Sequence, residues 1–162
     1  GIGGGGPLHE FTEEDWDRIV DINLKGTWLC MKYQIRQMLK QGSGAIVNNS
    51  SGAGLTGYSR SPLYSASKHG VIGLSKSAAL QYITQGIRIN VVCPGVIMTP
   101  MIENAYKSGP GVKEWFESIQ PTGQAGEPEE VAHAVLWLCS DTASFVTGVA
   151  LPVDGGALSG IW

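Results

Sequence analysis

Apolar residues recur at Trp16, Ile19, Val20, Leu24, Thr27, Trp28, Met31, Ile35 and Met38. That is the three-to-four spacing of a helix with one face on a core, and it predicts a helix reaching about Lys40. Its start is marked by Thr12 as N-cap, Asp15 as the acid of a capping box, and Phe11 and Trp16 in staple positions. Asn23 falls inside the apolar stripe. A buried amide without partners costs about 1–3 kcal/mol, so Asn23 is expected either to find backbone or water partners or to be kept for a task.

Beyond the turn Gln41-Gly42-Ser43-Gly44, the run Ala45 to Asn49 is apolar enough for a strand inside a parallel sheet. Ser50 to Ser61 is a small, polar loop, and Pro62 to about Gln85 is helical again. On that helix Tyr64, Lys68, Val71, Ser75, Ala78 and Tyr82 share one face, while Ala66, Gly70, Gly73 and Ser77 form a small-residue stripe suited to close packing. Gly86 ends it. Arg88 to Cys93 reads as a second buried strand, broken by Pro94-Gly95. An irregular, partly helical section with Met101, Tyr106, Trp115 and Phe116 follows, its aromatic residues suited either to a lid or to ordinary packing. Glu127-Pro128-Glu129-Glu130 opens a further helix with proline at its first position, and Val149 to Val153 is a last strand, its Pro152 suited to an edge. Strands alternating with full helices predict an α/β fold with a parallel sheet and right-handed crossovers. The 162 residues read as a single domain, 1–162.

Composition narrows the function. A formal net charge of −3 with no cluster of lysine or arginine gives no footprint for nucleic acid or a membrane surface. The three cysteines, Cys30, Cys93 and Cys139, are odd in number and widely spaced among apolar neighbours, and are expected as reduced core residues in a cytoplasmic setting. His9, His69 and His133 lack ligand spacing, so no metal is expected. Gly1 to Gly6 precedes a helix but follows no strand, so it reads as a floppy linker and not a phosphate-binding turn.

The chemistry concentrates in Tyr64-Ser65-Ala66-Ser67-Lys68. Residues i and i+4 on a helix lie about 5–6 Å apart at Cβ. An ammonium about 4 Å from a phenolate contributes roughly 4 kcal/mol at an effective dielectric of about 20, enough to bring a tyrosine from about 10 toward neutrality, where a general base works best. Ser51 stands thirteen residues before Tyr64, at the carboxyl end of the first strand, where open α/β sheets bind ligands.

In this order and setting, Asn23, Ser51, Tyr64 and Lys68 resemble the active-site set of the short-chain dehydrogenase/reductase family. Pro94-Gly95-Val96-Ile97-Met98-Thr99 resembles that family's stretch after its sixth strand, and Asp154-Gly155-Gly156 its closing turn. Gly1-Ile2 resembles the tail of the Asn-Asn-Ala-Gly signature that ends its fourth strand. The resemblance implies a Rossmann-like parallel sheet with flanking helices, truncated to the last three strands, the N-terminal dinucleotide-binding half being absent. Ala45 to Asn49 then becomes an open edge, and the isolated residues are expected to be marginal or aided by association. The resemblance further implies an NAD(P)-dependent oxidoreductase acting on a secondary alcohol or carbonyl, with Tyr64 as general acid/base, Ser51 bonding the substrate oxygen, and Lys68 tuning Tyr64 and bonding the nicotinamide ribose. Asn23 would hold a relay water. Pro94, Gly95, Ile97 and Thr99 would lie against the nicotinamide, so that Tyr64, Lys68 and these four bind NAD or NADP. A homodimer or homotetramer is implied. The alternative is an inactive fragment or interaction module that keeps the pattern and turns over nothing.

Overall fold

Three strands form the centre of the computed structural model, which describes residues 1–160: β1 (Gly44–Asn49), β2 (Ile87–Pro94) and β3 (Ala150–Val153), in the order β1-β2-β3 and parallel throughout. β2 is buried on both faces, as a central strand joined by helical crossovers must be. Ile87 and Ile89 pack against Met31 and Ile35 of α2 (Gly26–Gln41) and Ala78 and Ala79 of α3 (Pro62–Tyr82), while Val91 and Cys93 meet Ile72. Arg88, which alternates to the opposite face, sends its guanidinium to the carbonyls of Leu138 (2.7 Å) and Ser140 (3.0 Å), at and just past the C-terminus of α6 (Pro128–Cys139). A cation thus meets the carbonyls left unpaired at a helix end. β3 is an edge strand and carries Pro152, opposite Cys93. The other edge, β1, borders an open groove lined by Ile22, Thr27, Cys30 and Gln34.

The strands and the two crossover helices fall within a residue or two of their expected bounds; Ile83–Gln85 continues α3 as a single 3-10 turn before Gly86, at φ +76°. The section after β2 resolves into two short helices, α4 (Pro100–Tyr106) and α5 (Val112–Ser118). No helix among the described residues is long and apolar enough to cross a membrane.

The first predicted helix is where the structure departs most. It divides into α1 (Glu13–Val20), a π-helical turn (Asp21–Lys25) and α2. Ile19, Asn23, Met31 and Ile35 are buried, all four in one series of four-residue steps. Such a series drifts about 40° per step on a regular helix, and one wider turn resets the register. Trp16 and Trp28, read as part of the core stripe, are 48% and 43% exposed; Lys32 Nζ lies 5.3 Å from the Trp28 ring. The Thr12–Asp15 capping box is present.

Two further expectations are corrected. Gly1 to Gly6 is no floppy linker: Ile2 exchanges two hydrogen bonds with the Asn23 side chain, Ser61 Oγ bonds the Gly4 carbonyl, and Gly6 N–H donates to the Arg60 carbonyl. Of the cysteines only Cys93 is in the core. Cys30 and Cys139 are free and exposed, because each lies on the outer side of an amphipathic helix. The small-residue stripe of α3 packs within the chain only at Gly70, under Leu24; Ala66, Gly73 and Ser77 are exposed.

Asn90, almost fully buried, donates to the Val146 carbonyl (2.9 Å) and accepts from Val149 N–H (3.1 Å), fixing the approach to β3. Asn90→Ala strands both backbone groups, each worth about 1–3 kcal/mol. We expect a loss of at least about 2 kcal/mol in urea unfolding; an unchanged midpoint contradicts this role.

Candidate active site

Ser50 N–H donates to the Val92 carbonyl, so β1 hands its chain directly to the end of β2 before turning away. The Ser50 hydroxyl then donates to the Lys68 carbonyl at 2.9 Å, and Gly54 presses the following turn against α3. A Cβ on Gly54 would stand 2.5 Å from Ser50 Oγ and 2.9 Å from the Lys68 carbonyl carbon, so only glycine fits. This contact carries Ser51 to the first turn of α3, where Tyr64 emerges. Ser51 Oγ accepts from Ala53 N–H at 3.2 Å, the ordinary duty of a serine at a turn. The same hydroxyl stands beside the Tyr64 phenol.

Lys68 is one turn along α3 and only 7% exposed. Its Nζ donates to the Asn49 carbonyl at 3.0 Å, at the end of β1, and lies 5.6 Å from the centre of the Tyr64 ring. Burial lowers the Lys68 pKa. It raises the Tyr64 pKa, against which the Ser51 hydroxyl beside the phenol pulls downward. This reverses the direction expected from the lysine alone: with the ammonium nitrogen 5.6 Å from the ring centre and one of its donors on Asn49, desolvation of the phenol dominates. Cys93 lies beneath the same groups, its thiol pushed up by burial.

Asn23 reaches the site from the π-helical turn. Its Nδ2 donates to the Ile2 carbonyl (2.9 Å) and Ser67 Oγ (3.1 Å), and its Oδ1 accepts from Ile2 N–H (2.8 Å). Both amide hydrogens are therefore committed, and a water at this side chain has one Oδ1 lone pair left to use. Gly1 is held so close that a Cβ there would lie 2.6 Å from Asn23 Oδ1 and 3.5 Å from Lys68 Nζ.

Pro94 and Gly95 leave β2 at the same end of the sheet, with Gly95 N–H on the Val153 carbonyl. The next residues pair with Gly126 through the Val96 carbonyl and Met98 N–H. In that parallel bridge the amide and carbonyl of Ile97 face away from Gly126. Thr99 is the N-cap residue of α4, yet its hydroxyl makes no capping bond. A free backbone donor, a free backbone acceptor and a free hydroxyl along one loop suit a carboxamide such as that of nicotinamide.

Over the approach to Tyr64 lies an aromatic cluster. Arg60 stacks with its guanidinium carbon 4.2 Å from the Trp115 ring centre, and Trp115 meets Phe116 edge-on and Tyr58 at a tilt. Burial raises the Tyr58 pKa, with Arg60 pulling it down and Tyr64 adding to the rise. Tyr58 thus stands within electrostatic reach of both.

Sequence reasoning missed Ser50, Gly54, Ser67 and Gln120. The glycine in Ser50-Ser51-Gly52-Ala53-Gly54 was the available signal for a close approach; nothing local marks Gln120.

Known proteins match this arrangement closely. A family model described as enoyl-(acyl carrier protein) reductase covers residues 1–157. The 2,5-dichloro-2,5-cyclohexadiene-1,4-diol dehydrogenase of Sphingobium indicum is 46% identical over 151 residues, 93% of this chain and 60% of that protein. The cyclohexanol dehydrogenase of an Acinetobacter species is 47% identical over 150 residues, 93% of this chain and 57% of that protein. Among solved structures, ElxO with NADP bound superposes with a TM-score of 0.92 at 39% identity, covering 99% of this chain and 65% of its own. The chain therefore spans about 60% of the length of the curated relatives it matches.

The burial of Tyr64 gives a test. With its folded pKa raised above the ordinary 10.0, the unfolded phenol ionises first. The stability this group contributes is intact below pH 10 and is lost as the pH climbs through the folded value. Ultraviolet difference titration of the protein against Tyr64→Phe should show the missing phenol titrating above pH 10; a transition at or below 10 contradicts the assignment.

Proposed function

The chain belongs to the short-chain dehydrogenase/reductase family, and on that premise we propose that it carries the catalytic portion of an NAD(P)-dependent oxidoreductase. Its substrate is a secondary alcohol or the corresponding carbonyl, and a six-membered alicyclic ring is the favoured carrier, because both curated relatives above are named for such rings. One observation carries the reading: Ser51, Tyr64 and Lys68 come from a loop and a helix to one end of the sheet, with Lys68 Nζ 5.6 Å from the Tyr64 ring.

The bound dinucleotide would supply hydride exchange at its nicotinamide. Loop 94–99, from Pro94 and Gly95 onward, would hold that ring through the backbone of Ile97 and the hydroxyl of Thr99. Ser51 would turn its hydroxyl proton to the substrate oxygen. Tyr64, a neutral phenol at ordinary pH whose ionisation burial disfavours further, would give its proton to the alkoxide formed from a carbonyl; in the reverse direction its anion would take the hydroxyl proton. Lys68 favours that anion and reaches the nicotinamide ribose. Asn23 holds Gly1 and Ile2 beside Lys68 and orders the relay by which Tyr64 is reprotonated. The open stripe Ala66, Gly73 and Ser77 suits pairing with a second copy, in a homodimer or homotetramer.

In the full-length protein, titration with NAD(P)H followed by nicotinamide fluorescence should saturate; no binding at millimolar concentration favours an interaction module without turnover. Tyr64→Phe should cut turnover roughly a thousandfold with little change in dinucleotide affinity. Alcohol oxidation should rise with pH as the phenol ionises, and Lys68→Ala should lose activity at neutral pH and recover part of it at high pH. A Lys68→Ala profile matching the parent removes Lys68 from the mechanism.

A further inference from the structure

Between Pro100 and Glu130 one residue is buried, and it is a glutamine: Gln120, 3% exposed. The apolar residues of α4 and α5, Ile102, Tyr106, Trp115 and Phe116 among them, are only half-buried. With its amide oriented to satisfy both neighbours, Gln120 accepts from Val96 N–H at 3.1 Å and donates to the Asp154 carbonyl at 3.2 Å. These partners are two residues past Pro94, where β2 ends, and one past Val153, where β3 ends. Space is tight there: a Cβ on Gly95 would fall 2.9 Å from the Gln120 amide and 2.9 Å from Asp154 Cα. Asp154 is itself fixed, its carboxylate accepting from Gly156 and Leu158 N–H.

Gln120 follows α5 by two residues, and α5 carries Trp115, which packs on Tyr58 and Arg60, and Phe116, which meets Trp115 edge-on. The chain leaves the loop at Met98-Thr99, runs through both short helices and returns to the same loop at Gln120 and Gly126. The Gly126 tether is backbone only. The side-chain hydrogen bonds from this section to the loop and to the end of β3 come from Gln120, and a buried amide holding two backbone groups is directional in a way that the packing of Trp115 on Arg60 and Tyr58 is not.

We propose that Gln120 is a positioning residue that locks the aromatic flap, residues 100–119, to the loop facing the nicotinamide. This rests on the reading of loop 94–99 as the nicotinamide site. The flap then closes over substrate in register with the bound ring, since the Val96 amide that orders the loop is paired by the residue that ends the flap.

Two variants of the full-length protein test it. Gln120→Met keeps length and approximate volume but can make neither bond; Gln120→Glu keeps the acceptor for Val96 and loses the donor to Asp154. In Gln120→Met we expect Val96 amide exchange to accelerate about tenfold, the equivalent of one ordinary buried hydrogen bond, with Ile89 and Val91 unchanged. The dinucleotide KM should rise by about the same factor while kcat stays within about threefold. In Gln120→Glu, Val96 should remain protected while the amides of Gly156 and Leu158 exchange faster. Unchanged exchange at Val96, or a uniform loss of protection across β2, overturns the proposal, the second by making Gln120 a general stability residue. If Gln120→Met does not fold, the Gln120→Glu pattern decides. Exchange needs no ligand: a parent protein that binds no dinucleotide defeats the oxidoreductase reading, while Val96 exchange still decides the role of Gln120.

Discussion

A lysine ammonium that is almost wholly buried persists only where something polar meets it, and around Lys68 that requirement organises the site. Its Nζ finds the Asn49 carbonyl at the end of β1, which fixes the distance between α3 and the sheet at the end where ligands bind in open α/β folds. The Lys68 carbonyl takes the Ser50 hydroxyl, and the Gly54 turn closes on the same backbone. Desolvating a charge costs several kcal/mol even after relaxation, so this packing is not what a search for stability alone selects. It holds a cation beside a phenol and a serine.

The energetic balance inside the site is set by burial more than by charge pairing. Tyr64 is held protonated and Lys68 is pressed toward its neutral form, both by loss of water. Opposite shifts on neighbouring acid and base groups are a recognised mark of functional positions. A phenol and a serine hydroxyl side by side are equipped to stabilise oxygen charge as it develops, as reduction of a carbonyl requires.

Much of this was legible in the residues. The alternating elements, the edge position of Pro152 and the shared face of Tyr64 and Lys68 follow from local periodicity, which survives folding when burial is one-sided. What the sequence hid was longer in range. The π-helical turn at Asp21–Lys25 reveals itself only as a four-residue spacing, easily taken for an ordinary stripe that includes the tryptophans. The glycine segment looked unstructured because its partners, Asn23, Arg60 and Ser61, lie between 21 and 57 positions away. Gln120 gave no signal, since an isolated glutamine in a polar section is ordinary until its two backbone partners are known. The pKa direction of Tyr64 failed for a related reason: spacing fixes that the lysine is near, whereas burial and the choice of hydrogen-bond partner decide what it does.

The central claim is that the start of α3, the end of β1 and loop 94–99 surround one nicotinamide. Nuclear Overhauser contacts between the nicotinamide protons of bound NADP and labelled side chains of the full-length protein test it most directly. The account predicts contacts to the Tyr64 ring and to the methyl groups of Ile97 and Thr99 together. A dinucleotide that binds with its nicotinamide near none of them contradicts it.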